Sequence, residues 1–179
     1  MAEHDTNQEF KETLNECRDI FAKKLHDYGA SWRILRPSSL TDQIFIKARR
    51  IRDLETIGKA MVNEGIRPEF IGLVNYGIIG LIQLAHPSVL TPDMSAAEAL
   101  TLYDGIANEA FELMARKNHD YGEAWREMRV SSYTDFILTK IARIKQLEDI
   151  AGKALVSEGV ESNLLDIINY SVFGAIRLK

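Results

Sequence analysis

Residues 24–33 read KLHDYGASWR, and residues 117–126 read KNHDYGEAWR. The same shift of 93 positions carries Asn15-Glu16 onto Asn108-Glu109, Arg36 onto Arg129 and Ser38-Ser39 onto Ser131-Ser132. It also carries Thr41-Asp42 onto Thr134-Asp135, Lys47 onto Lys140, Arg50-Ile51 onto Arg143-Ile144 and Leu54-Glu55 onto Leu147-Glu148. One extra residue near Ala151 makes the shift 94, which pairs Glu64-Gly65 with Glu158-Gly159 and Asn75-Tyr76 with Asn169-Tyr170. A fixed internal period means one structural unit used twice. The division expected is residues 1–86 for the first copy, 87–103 for a linker and helix start, and 104–179 for the second, packed as one globular unit.

Each unit reads as three helices. Phe10, Leu14, Cys17, Phe21 and Leu25 recur at spacings of three and four, which predicts a helix from Gln8 to about His26, stopped by Gly29. After an irregular stretch, Ser39 or Thr41 can cap a second helix running to about Asn63 and ending at Gly65. Pro68 then suits the first turn of a third helix reaching Leu84, and Ser95 starts a longer first helix in the second copy. No alternating strand pattern occurs. The expectation is an all-α helical bundle whose two three-helix copies are related by a pseudo-two-fold axis.

Composition narrows the function classes. The chain has 179 residues, 46% hydrophobic and 27% charged, enough for an ordinary globular core. A net charge of −4 argues against nucleic acid as a partner. Cys17 is the single cysteine, so neither a disulfide framework nor a cysteine-rich zinc site is expected. The polar start MAEHDTNQEF is unlike a secretory signal, and the apolar run from Phe70 to Leu84 is short of the ~20 residues of a membrane span. These features predict a cytoplasmic protein without a membrane partner, and leave homo-oligomerisation open.

Residues kept by both copies for packing alone should be mostly apolar, yet much of the shared set is polar. On a helical wheel the second helix buries Ile44, Ala48, Ile51, Leu54, Gly58, Met61 and Val62. Lys47 and Glu55 fall in or beside that stripe with Arg50 at its margin, as do Lys140, Glu148 and Arg143 in the second copy. Buried charges are costly unless paired, so these either form internal ion pairs or serve a ligand. The third helix is apolar all round, and its Asn75 or Asn169 could bond a partner amide or complete a metal shell. Asp166, three residues before Asn169, joins Glu148 and Glu161 in an oxygen-rich set suited to Mg²⁺ or Mn²⁺. Trp32, Arg33 and Arg36, with Trp125, Arg126 and Arg129, stand just before a helix N-terminus, where arginines and free N–H groups favour anions and a tryptophan offers a base its face. Glu148, Asp120 and Asp166, with Glu55 and Asp27 in the first copy, are the candidate catalytic carboxylates.

The string Lys117-Asn118-His119-Asp120-Tyr121-Gly122 with Trp125, the run Lys140-Ile141-Ala142-Arg143-Ile144 and the Asp166 to Tyr170 segment resemble the nucleotide-modification-associated domain family of bacteria and phages. The first copy departs from that string, reading Lys24-Leu25-His26-Asp27. The resemblance implies a link to modified or damaged nucleotides. The chain also looks distantly like the all-α, MazG-related nucleoside triphosphate pyrophosphatases, which would imply paired acidic motifs holding magnesium; Glu148-Asp149 and the Glu161 to Asp166 stretch could supply them, although Lys140 and Arg143 occupy the helix of the first pair. Three readings follow. One is a metal-dependent nucleotide pyrophosphohydrolase, one a nucleotide-sensing module without turnover, and one a structural interaction bundle. A pocket uniting Asp120, Glu148, Asp166 and Arg126 would set the last aside.

Overall fold

The structure is a computed structural model that describes residues 4–57, 59–150 and 155–179, with the side chains of these other than 59–64 and 155–158. It is all-α: six helices and, among the described residues, no strand. They are α1 (Thr6–Tyr28), α2 (Pro37–Ile57), α3 (Lys59–Ala85), α4 (Ala96–Tyr121), α5 (Val130–Asp149) and α6 (Leu155–Arg177). Short 3-10 turns, Ser31–Ile34 and Ala124–Glu127, join α1 to α2 and α4 to α5.

The first helix of each copy begins on a side-chain cap. The Asp5 carboxylate accepts from the Gln8 amide at 3.1 Å, and the Ser95 hydroxyl accepts from the Glu98 amide at 3.2 Å. Each ends at a glycine with positive φ, +63° at Gly29 and +58° at Gly122, a conformation other residues adopt at a cost. Glu123 follows Gly122 at φ 66°, and hydrogen bonds from Thr6, Asn118 and Arg126 to its carboxylate offset the strain.

The boundary expected between the second and third helices is corrected. α3 begins at Lys59 and carries Pro68 inside it, so Gly65 does not end a helix and Pro68 does not start one. A Cβ on Gly65 would lie 3.2 Å from Leu54 Cδ1, and one on Gly159 would lie 2.9 Å from Leu147 Cδ1. Each glycine lets its long helix close on the helix before it. α2 likewise starts at Pro37, earlier than Ser39 or Thr41, with proline in the favoured first turn. The predicted burial of Gly58, Met61 and Val62 and the extra residue near Ala151 lie outside the described residues.

α3 and α6 form the centre, packed on each other, with α2 on α3, α5 on α6, and α2 against α5. Ile44, Ala48 and Ile51 of α2 are buried as their spacing predicts, as are Ile137, Ile141 and Ile144 of α5. Contacts recur between repeat-equivalent positions: a Cβ on Gly174 would press on the Phe70 ring at 2.8 Å, and one on Gly80 would meet Leu164 Cδ1 at 3.4 Å. Residues 65–85 are long and apolar enough to cross a membrane, but this stretch is the central helix and most of it is buried.

Much of the shared polarity holds the 3-10 turns. Gln83 Nε2 donates to the carbonyls of Arg33 and Leu35, and Arg177 Nη1 donates to those of Arg126 and Met128. The two clasping residues sit at the same place in each copy and differ in identity. Arg33, only 4% exposed, donates to Gln83, to the carbonyls of His86 and Pro87 and to Asp93, which straps the linker to the first copy. Arg126 holds the start of α1 in the same way, through Thr6 and Glu9.

Candidate functional site

Each copy has a pocket built by the end of its first helix, its 3-10 turn and its third helix. The first pocket, about 740 Å³, is walled by Lys24, Tyr28, Trp32, Asn75 and Tyr76, with Lys47 reaching in from α2. The second, about 350 Å³, is walled by Lys117, Tyr121, Trp125, Asn169 and Tyr170. These walls are the repeated residues themselves, so the duplication carries two separate pockets.

Their polar interiors differ. In the first, the Tyr103 hydroxyl donates to Asn75 Oδ1 at 2.7 Å, and Asn75 Nδ2 donates to the Cys17 carbonyl at 3.1 Å. In the second, Phe10 stands at the repeat-equivalent place of Tyr103 and has no hydroxyl to offer. Asn169 is 6% exposed, and neither its Nδ2 nor its Oδ1 has a partner among the described residues. Asn118 Oδ1 and Trp125 Nε1, in the same pocket, are also buried without a partner. Buried polar atoms are nearly always hydrogen-bonded, so four without a protein partner around one pocket set it apart from the first.

Charge is arranged differently too. Asp166 binds both Lys117, at 2.7 Å, and Lys140, at 3.1 Å. Its equivalent in the first copy is Gly72; there Lys47 pairs instead with Glu69, one turn earlier on α3, at 3.2 Å. Arg67 makes a bidentate pair with Glu16, both bonds 2.7 Å, and the guanidinium hydrogen bonds hold the Glu16 carboxyl below its usual range against some burial.

Several expected site residues lie elsewhere. Trp125 stacks on Phe173 at 4.3 Å, and the Arg126 guanidinium lies 4.3 Å from its ring centroid. Two groups that close must cover opposite faces, so the ring is not a stacking platform. Trp32 has Ile79 where Trp125 has Phe173; half-buried against the core, it lies 6.2 Å from the Phe21 ring, tilted to it. Arg33 and Arg126 spend their donors inside the protein, and Arg36 and Arg129 are exposed outside both pockets. Arg50 is exposed 3.7 Å from Glu69, and Arg143 bonds only Gln146. Asp27 and Asp120 are exposed beside His26 and His119. Glu148 accepts from the Thr41 hydroxyl at 3.1 Å across α2 and α5. Glu55 faces Thr134 from the other copy; that hydroxyl favours its carboxylate but makes no bond of hydrogen-bond geometry. Burial pushes both glutamates above the usual carboxylate range, and the threonines oppose this.

Glu161 lines a third pocket, with Glu109 and His86. The expected cation shell of Glu148, Asp166, Asn169 and Glu161 is therefore not assembled, and among the described residues no three Asp, Glu, His or Cys side chains gather to hold a metal ion. The pocket expected to unite Asp120, Glu148, Asp166 and Arg126 is not formed either; only Asp166 lines one. Conversely Lys24, Lys117, Asn118 and the four pocket tyrosines were not singled out as binding residues, although most of them stand among the repeated positions.

The family profile described as Nucleotide modification associated domain 1 matches residues 24–84 and again residues 117–178, about two thirds of the chain. The chain belongs to this family. No curated protein and no solved structure matches it. The matched segments open on Lys24 and Lys117, the first pocket lysine of each copy, and run almost to the ends of α3 and α6. Tyr103, which occupies Asn75, lies between them, so the feature that most separates the two pockets comes from outside the family unit.

Proposed function

We propose that this protein binds nucleotides in its two repeat pockets, as a sensing or sequestering module that does not itself cleave them. One observation carries the reading: the Asn169 carboxamide, buried and unpartnered, lines a pocket of about 350 Å³ with Lys117, Tyr121 and Tyr170. A carboxamide presents a donor and an acceptor side by side, which matches the paired donor and acceptor on a nucleobase edge. Asn118 Oδ1 and Trp125 Nε1 add one acceptor and one donor around the same space. Tyrosines supply apolar walls for the base, and in the first pocket Lys24 and Lys47 supply charge for a phosphate. The family's association with nucleotide modification supports the same ligand class.

Hydrolysis would need a carboxylate free to orient water. Each pocket is lined by one acid, and both are engaged: Asp166 by two lysines, Glu16 by Arg67. The internal clasps of Arg33 and Arg126 are what an interaction bundle would show, but such a bundle has no need of a pocket ringed by orphaned polar atoms.

The test is calorimetry and thermal stability against ordinary and modified nucleosides and their 5′-phosphates, with and without Mg²⁺, with product analysis alongside. Saturable binding with no turnover is expected, its second-pocket component lost in Asn169→Ala; a ligand at 100 times its Kd adds about 2.7 kcal/mol to stability. No shift at millimolar ligand would sink the nucleotide reading in favour of the bundle. Mg²⁺-dependent cleavage would overturn the non-catalytic half.

A further inference from the structure

We infer that the two pockets sort nucleotides by phosphate charge, the first taking nucleoside triphosphates and the second the uncharged nucleoside. This rests on the proposal that the pockets bind nucleotides. The first pocket is lined by Lys24, Lys47 and Arg67 against Glu16, an excess of two positive charges. The second is lined by Lys117 against Asp166, with no excess. Lys24 makes no ion pair among the described residues, whereas Lys117 is tied to Asp166 at 2.7 Å.

Position 72 sets this difference. A Cβ on Gly72 would lie 3.0 Å from Lys47 Cε and 3.2 Å from its Nζ, so the lysine lies across the space that a side chain would fill. At the equivalent place in the second copy, Asp166 projects its carboxylate between two lysines. The acid that balances Lys47 is Glu69, which does not line the pocket. A polyphosphate entering the first pocket meets three lining cations against one acid; one entering the second meets a single lining lysine already tied to Asp166, and must compete with that carboxylate for it.

The uncharged recognition groups follow the opposite distribution. Asn75 is already bonded to Tyr103 and Cys17, so the first pocket has no free carboxamide to read a base edge; the half-buried Trp32 lines it instead. The second pocket has the unpartnered Asn169 and half the volume. Stacking tolerates any base, while edge reading selects one.

The chain's two tryptophans, Trp32 and Trp125, stand one in each pocket, so each pocket has its own reporter. Trp125→Phe protein reports the first pocket and Trp32→Phe the second, each titrated with adenosine, guanosine, cytidine, uridine and their mono- and triphosphates. Calorimetry follows events that leave the fluorescence unchanged. At Trp32 the triphosphate should bind at least about tenfold tighter than its nucleoside, the scale of one charge-assisted contact; at Trp125 added phosphates should weaken binding. Gly72→Asp should weaken the triphosphate about tenfold at Trp32 while Gly72→Asn, matched in size, should not. Asp166→Asn should remove the penalty at Trp125. Equal phosphate dependence at both tryptophans, or equal losses in Gly72→Asp and Gly72→Asn, would overturn the sorting while leaving nucleotide binding intact. Silence of both pockets to every compound would instead remove the binding proposal and the sorting with it.

Discussion

Replacing Asn169 by leucine, a change close to isosteric, should stabilise the protein while destroying its second pocket. Asn169 is 6% exposed and both polar atoms of its carboxamide lack a partner among the described residues. An unpaired buried polar group costs about 1–3 kcal/mol, and an apolar residue of the same shape avoids that cost. For a domain of this length 1 kcal/mol moves Tm by about 2–4 °C, so Asn169→Leu should melt roughly 2–12 °C above the parent protein. Urea denaturation should give the same sign with an unchanged m-value.

The matching change in the first copy should go the other way. Asn75→Leu would strand the hydroxyl of Tyr103, a residue with 0% exposure, whereas the Cys17 carbonyl, inside α1, keeps its helical partner. That should cost about 1–3 kcal/mol, because removing one member of a buried bond strands the other. Opposite signs at repeat-equivalent positions are hard to produce by any general effect of the substitution, since both sites lie on the apolar central helices. If Asn169→Leu destabilises the protein as Asn75→Leu does, the Asn169 amide is satisfied without a ligand and the argument for a built site fails.

Three further outcomes follow from the packing and the charges. Gly174→Ala should cost about 1–3 kcal/mol in urea denaturation, because its Cβ would press on the Phe70 ring at 2.8 Å where α3 and α6 meet. Arg33→Met should cost about 2–4 kcal/mol by stranding the Gln83, His86 and Pro87 acceptors, while Arg36→Ala, at an exposed position, should stay within about 0.5 kcal/mol; calorimetric melting separates the two. Burial holds the Glu148 carboxyl above its ordinary value of 4.5, so ionising it works against folding. Stability that is complete below pH 4.5 is therefore lost as pH rises through the raised folded value. Glu148→Gln should melt above the parent at pH 7, with the difference closing towards pH 4; a difference that grows on acidification would mean the carboxylate is stabilised by folding.

The repeat and the helices were legible because both are periodic signals spread over many residues. Gly65 and Pro68 misled because their usual meaning is local: a glycine ends a helix, a proline begins one. Here Gly65 answers to Leu54 across a helix pair, and the proline is carried within a helix held by packing. The excess of shared polar residues was visible, but its division between scaffold and site was not. Gln83 and Arg177 clasp the same carbonyls with different side chains, so comparing letters passes over them. The state of Asn169 depends on Phe10, more than 150 positions away and itself apolar, and nothing in a single helix's pattern connects the two. The metal cluster failed for a related reason. Glu148 and Asp166 lie on packed helices, but Glu148 faces Thr41 across α2 and α5 while Asp166 faces Lys117.

Duplication supplies an internal control that a single domain lacks. Where the copies must do the same mechanical work they keep the same chemistry, even at the cost of different letters: Gln83 and Arg177 both donate to the two carbonyls of a 3-10 turn, while Arg33 binds the chain ahead of α4 and Arg126 the first turn of α1. Around the pockets the rule reverses. Gly72 against Asp166 changes charge, Phe10 against Tyr103 changes hydrogen bonding, and Ile79 against Phe173 changes whether an aromatic ring is available to stack on the tryptophan. None of these three differences is needed to pack a helix, since each position remains within the same pair of contacting elements. Together they engage Asn75 and cover Trp125, while leaving Asn169 without a partner and Trp32 without a stacked ring. Loss of function in one copy would be expected to fill its pocket or scatter changes through it. The observed differences instead move each recognition group from one pocket to the other, which is the arrangement expected of two sites that meet different parts of the same class of ligand.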